Sequence, residues 1–179
     1  MRLQGIKYTL VPAVDGKTLT QGSLSFFRSS FDIDSDDIDG LGIRQLPGFS
    51  DPHRPRTITR GEVGCFLSHY YLWKKMIPGE TYLVLEDDVR FGPDFVADLR
   101  RTLREAKDID WDLIYVGRKR GPGADNDVEV MVTESISNVT YSFWTLGYLI
   151  TGDAAKVLVD EKPLVKILLH DGIDKIDNF

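Results

Sequence analysis

Apolar side chains recur at Val63, Phe66, Leu67, Tyr70, Trp73 and Ile77, and separations of three and four put them on one face of a helix over residues 62–77. Pro78 and Gly79 end that helix. The pattern then changes. Tyr82, Leu83, Val84 and Leu85 form an unbroken apolar run, the mark of a buried strand over 81–86. Pro93 suits the start of a second helix, where its missing N–H does no harm. Phe95, Val96, Leu99 and Leu103 give that helix an apolar face, and Arg100, Arg101, Arg104 and Lys107 crowd its polar side and last turn, matching the helix dipole. Trp111 to Val116 reads as a strand, residues 117–138 as a long polar loop, and the aromatic run Tyr141 to Ile150 as a further strand. Gly152 to Val159 begins a third helix and Pro163 to Leu169 a short fourth. Upstream, Tyr8 to Val14 reads as a short strand closed by an Asp15-Gly16 turn. From Lys17 to about Arg60 the chain is polar and has no sustained period. Its acidic stretch from Asp32 to Asp39 lacks the Gly and terminal Glu of an EF-hand loop and reads as a solvated loop. Strands alternating with helices predict an α/β layered domain.

Composition narrows the function. At 179 residues the chain fits a single domain, and the net charge of −6 disfavours nucleic acid or an anionic membrane as a partner gathered by overall charge. With Cys65 as the one cysteine, an internal disulfide and a Cys-rich zinc site are both excluded. Its apolar neighbours suit a small buried thiol. The longest apolar runs fall short of the ~18 residues a bilayer span needs, and Met-Arg-Leu-Gln-Gly-Ile has no signal-peptide core.

The candidate chemistry lies where the strand at 81–86 meets Glu86, Asp87 and Asp88. Adjacent carboxylates cannot stay buried and unpaired, so they require water, a cation or basic partners. A strand that delivers acids to a sheet end can hold a divalent metal against a phosphate-bearing ligand. If strand alternation persists, Glu86 and Asp88 share one face, which makes Asp88 the first choice for a metal ligand, and Asp87 either ligates where the strand kinks or orders the loop by accepting backbone hydrogen bonds. The bland reading pairs these acids with Arg90 or uses them as caps near Asp94. Arg118, Lys119 and Arg120 follow a strand and either clamp a diphosphate or form a solvated basic loop beside Asp125 and Asp127. His69 is either a packed imidazole or a direct contact, and Ser68 is the kind of helix hydroxyl that bonds back to its own backbone.

Five ordered segments carry a resemblance: Val11-Pro-Ala-Val-Asp-Gly16; Leu46-Pro-Gly48; Gly61-Glu-Val-Gly-Cys-Phe-Leu-Ser-His69 with Trp73 and Leu85-Glu-Asp-Asp-Val; Trp111-Asp-Leu-Ile-Tyr-Val-Gly-Arg-Lys-Arg120; and Tyr141 to Tyr148 with Trp144-Thr-Leu146. Together they resemble glycosyltransferase family 25, in its collagen galactosyltransferase branch, over roughly residues 5–170. The resemblance implies a GT-A-type fold, a mixed and mainly parallel sheet flanked by helices. It implies transfer of galactose from UDP-galactose to hydroxylysine of collagen, inverting and metal-dependent, with Mn²⁺ or Mg²⁺ held by Glu86, Asp87 and Asp88. Such an ion would take up charge on the leaving diphosphate. Asp15 and Gly16 lie where a nucleotide base or ribose sits in such folds, and Asp171 is the candidate general base. The family's animal members work in the endoplasmic reticulum lumen. A homodimer is compatible with these expectations.

The chain also departs from the family pattern. It begins after the strand that normally opens the domain and ends before a His-containing segment, so a partial domain of weak or no activity is expected. The competing readings are a catalytically inactive homologue serving as a secretory-pathway interaction or adhesion protein, and a saccharide-directed galactosyltransferase. Asn138-Val-Thr140 is an N-glycosylation acceptor sequence.

Overall fold

The computed structural model describes residues 5–18, 60–120, 129–139 and 142–160. The acidic stretch 32–39, the expected fourth helix at 163–169 and Asp171 lie outside the described residues. The chain divides into two compact units, Met1–Thr9 with Ile77–Ala154, and Leu10–Met76 with Ala155–Phe179.

The first unit is built on three strands, β1 (Thr81–Leu85), β2 (Leu113–Arg120) and β3 (Ser142–Thr151), in the order β1-β3-β2. Both pairings are antiparallel. Leu83 faces Leu149 across β1 and β3, and Tyr115 faces Tyr148 across β2 and β3. The mainly parallel sheet expected from the sequence is therefore not what the described strands form. Helix α2 (Phe95–Glu105) lies between β1 and β2 in the chain, and those two strands run in the same direction. They never pair, because β3 enters between them from the opposite direction. As the middle strand, β3 supplies the core: Tyr148, Leu149 and Ile150 are at most 2% exposed.

Two boundaries moved for physical reasons. β2 does not stop at Val116 but runs on through Gly117 to Arg120, with irregular register from Tyr115 onward. The length of β3 offers it backbone partners as far as Ser142, so ladder hydrogen bonds hold a segment whose side chains read as loop. Glu105 ends α2, and after a 3-10 turn at Ala106–Asp108 the Trp111 indole N–H donates to the Ala106 carbonyl at 3.1 Å. Residues 129–139 form a small hairpin with one bridge, Met131 to Ser137. Ile136 is buried there, and its carbonyl accepts from the Val132 and Thr133 N–H groups at 2.8 and 3.0 Å.

The second unit contains α1 (Arg60–Trp73). Leu67 and Tyr70 are its most buried side chains, and the Phe66 ring stacks on Tyr70 and meets Trp73 edge-on at about 6 Å. The helix was expected to reach Ile77 but ends four residues earlier. Lys75 and Met76 donate to Leu72 and Trp73, three residues back, so the last turn tightens ahead of Pro78. Residues 6–15 do not form the expected strand. Tyr8, Leu10 and Val11 are exposed and only Val14 is buried, so the segment presents no continuous apolar face. The last helix, α3 (Gly152–Asp160), starts where the sequence places it. Among the described residues, no helix is long and apolar enough to cross a membrane.

Candidate functional site

The acidic segment sits at the C-terminal end of β1. Glu86 still belongs to the ladder through its N–H, which donates to the Leu146 carbonyl at 3.1 Å. The chain then turns at Asp87 and Asp88. Strand alternation therefore ends at Glu86, and the inference that Glu86 and Asp88 share a face loses its premise. Of the alternatives, the kink at Asp87 is the one the backbone adopts. Glu86 is half-buried, and Asp87 and Asp88 are exposed. The apolar run could end this way only by carrying its charges out to solvent.

The sheet register brings the basic segment to the same end. Leu85 faces Gly147 and Arg118 faces Thr145, so the acids and the end of β2 flank neighbouring positions of the middle strand. Gly147 permits this closeness. A Cβ there would lie 2.7 Å from Leu85 Cδ2 and 3.3 Å from Val116 Cγ2, so a larger residue would require those two side chains to shift. Arg118 itself is a strand residue, not a loop residue. Its guanidinium donates to the Glu129 carboxylate in a largely buried ion pair, and the Ser137 hydroxyl donates to the other Glu129 oxygen at 3.1 Å. Arg120 continues the strand and pairs through its backbone with Ser142.

Asp15 and Gly16 belong to the other unit. An Asp15 side-chain oxygen accepts the Lys17 N–H at 2.9 Å and opens a 3-10 turn at Gly16–Thr18. The turn is fastened to α1 by Ser68. Its hydroxyl donates to the Gly64 carbonyl at 2.7 Å, as expected for a helix hydroxyl, and accepts the Val14 N–H at 2.9 Å. Gly64 was not singled out from sequence, yet it is what lets the two segments meet: a Cβ there would lie 2.7 Å from the Val14 carbonyl oxygen and 2.8 Å from the Gly16 nitrogen. The Gly-x-x-x-Ser spacing was the available signal. His69 lies beside Trp73, with ring centroids 6.3 Å apart. Cys65 is exposed, where a buried thiol was expected.

Glu105 is a second acid that sequence reading passed over. Its carboxylate accepts from the Thr133 hydroxyl at 2.5 Å and from the Ser135 hydroxyl and N–H at 2.8 and 2.9 Å. These bonds, Thr133 first, favour the ionised form and hold its pKa below the ordinary carboxylate value. The contact ties the end of α2 to the hairpin that also carries Glu129. At the opposite end of the sheet from the acids, Tyr82 donates to Glu80 at 2.6 Å, which raises the phenol's pKa.

In chemical terms, the first unit offers carboxylate groups at one sheet end, two of them open to solvent, and an ion-paired arginine on the strand beyond the middle one. The profile described as Glycosyltransferase family 25 (LPS biosynthesis protein) matches residues 1–167. A "Glycosyltransferase 25 family member" of Aedes aegypti is 43% identical over 93% of this chain and 26% of its own length. "Procollagen galactosyltransferase 1" of Danio rerio is 38% identical over 94% of the chain and 26% of its own length. "Procollagen galactosyltransferase 2" of Homo sapiens is 40% identical over 94% of the chain and 25% of its own length. The chain thus spans about a quarter of the length of these curated relatives. No solved structure matches it.

Proposed function

Because the chain belongs to glycosyltransferase family 25, we propose that the protein it is part of transfers galactose from UDP-galactose to the hydroxylysine hydroxyl of collagen, inverting the anomeric centre, on a GT-A-type layered fold. The observation that carries this reading is the convergence of Glu86, Asp87 and Asp88 with the basic end of β2 at one end of the sheet. Ligands of α/β sheets gather outside the C-terminal ends of parallel-running strands, and β1 and β2 both end there. Several relatives bear the name procollagen galactosyltransferase, which favours a galactosyl donor and a collagen acceptor.

The donor set fits a hard divalent cation. All three side chains offer carboxylate oxygen, and Asp87 and Asp88 are open to solvent on a turn. Mn²⁺ or Mg²⁺ held by Glu86, Asp87 and Asp88 would supply neutralisation of charge on a diphosphate leaving group. The chain's own residues have separate tasks. The ion pair with Glu129 holds Arg118 on β2, across β3 from the acid-bearing strand, and a held guanidinium can meet phosphate oxygens without first losing side-chain freedom. Arg120 extends the positive end of the same strand. Asp15 and Gly16 form a tight turn suited to receiving a base or ribose. Asp171 is the proposed acceptor of the hydroxylysine proton. The lumen of the endoplasmic reticulum is the proposed compartment.

The test uses the full-length protein, a hydroxylysine-bearing collagen acceptor and labelled UDP-galactose. Asp88→Ala and Asp87→Ala alter exposed turn residues and should leave the unfolding midpoint unchanged. Each should cut Mn²⁺-dependent transfer by on the order of 100-fold. Full transfer by the double variant Asp87→Ala/Asp88→Ala would overturn the proposal.

A further inference from the structure

We propose that Asn138 is an acceptor for an N-linked glycan. The sequence Asn138-Val139-Thr140 has the required hydroxyl residue two places on and no proline between. Asn126 is followed two places on by Val128 and so does not offer the pattern. The fold gives a second, independent observation. Asn138 lies just past the hairpin bridge, and its side chain is exposed. Among the described residues its bond is made by the backbone N–H, which donates to the Val130 carbonyl at 2.8 Å. The side-chain amide can therefore carry a bulky substituent without breaking the bond that closes the hairpin.

The surroundings suit a sugar. Val130 and Met131 are 63% and 57% exposed, and Val132 and Val139 are 45% exposed on the same short hairpin. Four neighbouring apolar side chains open to water are a poor surface for a secreted or lumenal protein. A glycan rooted at Asn138 stands among them and presents hydroxyls to solvent in their place.

The chemistry closes without an unnamed reactant. The Asn138 amide nitrogen attacks C1 of the first sugar of a polyisoprenyl-diphosphate oligosaccharide. The N–C1 bond forms and the C1–O bond to the diphosphate breaks. One amide proton passes to a base on the host oligosaccharide transferase, and the lipid diphosphate leaves with the bonding electrons. The inference rests on the lumenal location proposed above, so its test separates the two.

Full-length protein carrying an appended secretory leader is translated into microsomes, and protease protection identifies the translocated chains. A mobility shift removed by endoglycosidase is expected on the protected wild type. The shift assigned to this site should vanish in Asn138→Gln and Thr140→Ala and persist in Thr140→Ser. A protected wild-type chain whose Asn138 peptide is unmodified by mass spectrometry, or an unchanged glycan pattern in Asn138→Gln, would overturn the assignment. If the microsomal chain is glycosylated at Asn138 but the natural protein from its own cells is not, the acceptor stands and the lumenal location falls.

Discussion

Replacing Gly64 with alanine sets two effects of similar size against each other. In an exposed helix interior the change would stabilise by about 1 kcal/mol, because glycine loses more backbone freedom on folding. In α1 the added Cβ would stand 2.7 Å from the Val14 oxygen, 2.8 Å from the Gly16 nitrogen and 3.0 Å from the Gly16 Cα. All three are backbone atoms, so no rotamer change relieves the overlap and the segment must move. Such overpacking costs about 1–3 kcal/mol. The Val14 N–H to Ser68 hydrogen bond spans the same contact, and losing it adds about 1 kcal/mol. The steric and hydrogen-bond costs outweigh the propensity gain, leaving a net local loss of about 1–3 kcal/mol. Hydrogen exchange read by mass spectrometry suits the measurement, because it reports local opening whatever the rest of the protein does. Amides in peptides covering 10–18 and 60–73 should exchange roughly 5- to 150-fold faster in Gly64→Ala. Adding Ser68→Ala should change little further, since both substitutions act through one contact. Exchange that is unchanged or slower in Gly64→Ala would show that propensity wins and that the turn at Asp15 is not held against the helix as described.

Gly152→Ala tests the start of α3. Its Cβ would fall 1.9 Å from the Ile77 oxygen, and the Gly152 N–H donates to the Glu80 carbonyl at 2.8 Å, so a loss of about 2–4 kcal/mol is expected by urea unfolding. A variant within about 0.5 kcal/mol of wild type would refute that contact. Glu105 should give the first unit an acid-sensitive joint. Its pKa is depressed in the folded chain by the Thr133 and Ser135 bonds, so its contribution is complete above the ordinary carboxylate value and is lost as pH falls through the depressed one. The stability gap between wild type and Glu105→Gln should therefore hold near neutrality and close on acidification, and a gap that stays constant with pH would contradict this account.

Hydrophobic pattern located α1, α2 and β1, and aromatic β-propensity located β3, because three-and-four spacing and unbroken apolar runs are direct imprints of local burial. The acids of the candidate site were legible for the same reason, since an apolar strand that runs into Glu86, Asp87 and Asp88 must surface where they begin. Tertiary structure decided what lay beyond local period. Strand order depends on where the chain returns, and β3 comes back between β1 and β2 instead of beside them. Arg118 found Glu129, and Glu105 found Thr133 and Ser135, through a hairpin whose shape comes from backbone bonds that leave no periodic trace. Gly64 and Gly152 look alike in sequence to any loop or helix glycine, and only the distance to Val14 and Ile77 shows why no side chain fits there. Periodicity records whether a residue is buried, whereas the identity of its neighbour is a long-range property that the folded chain alone fixes.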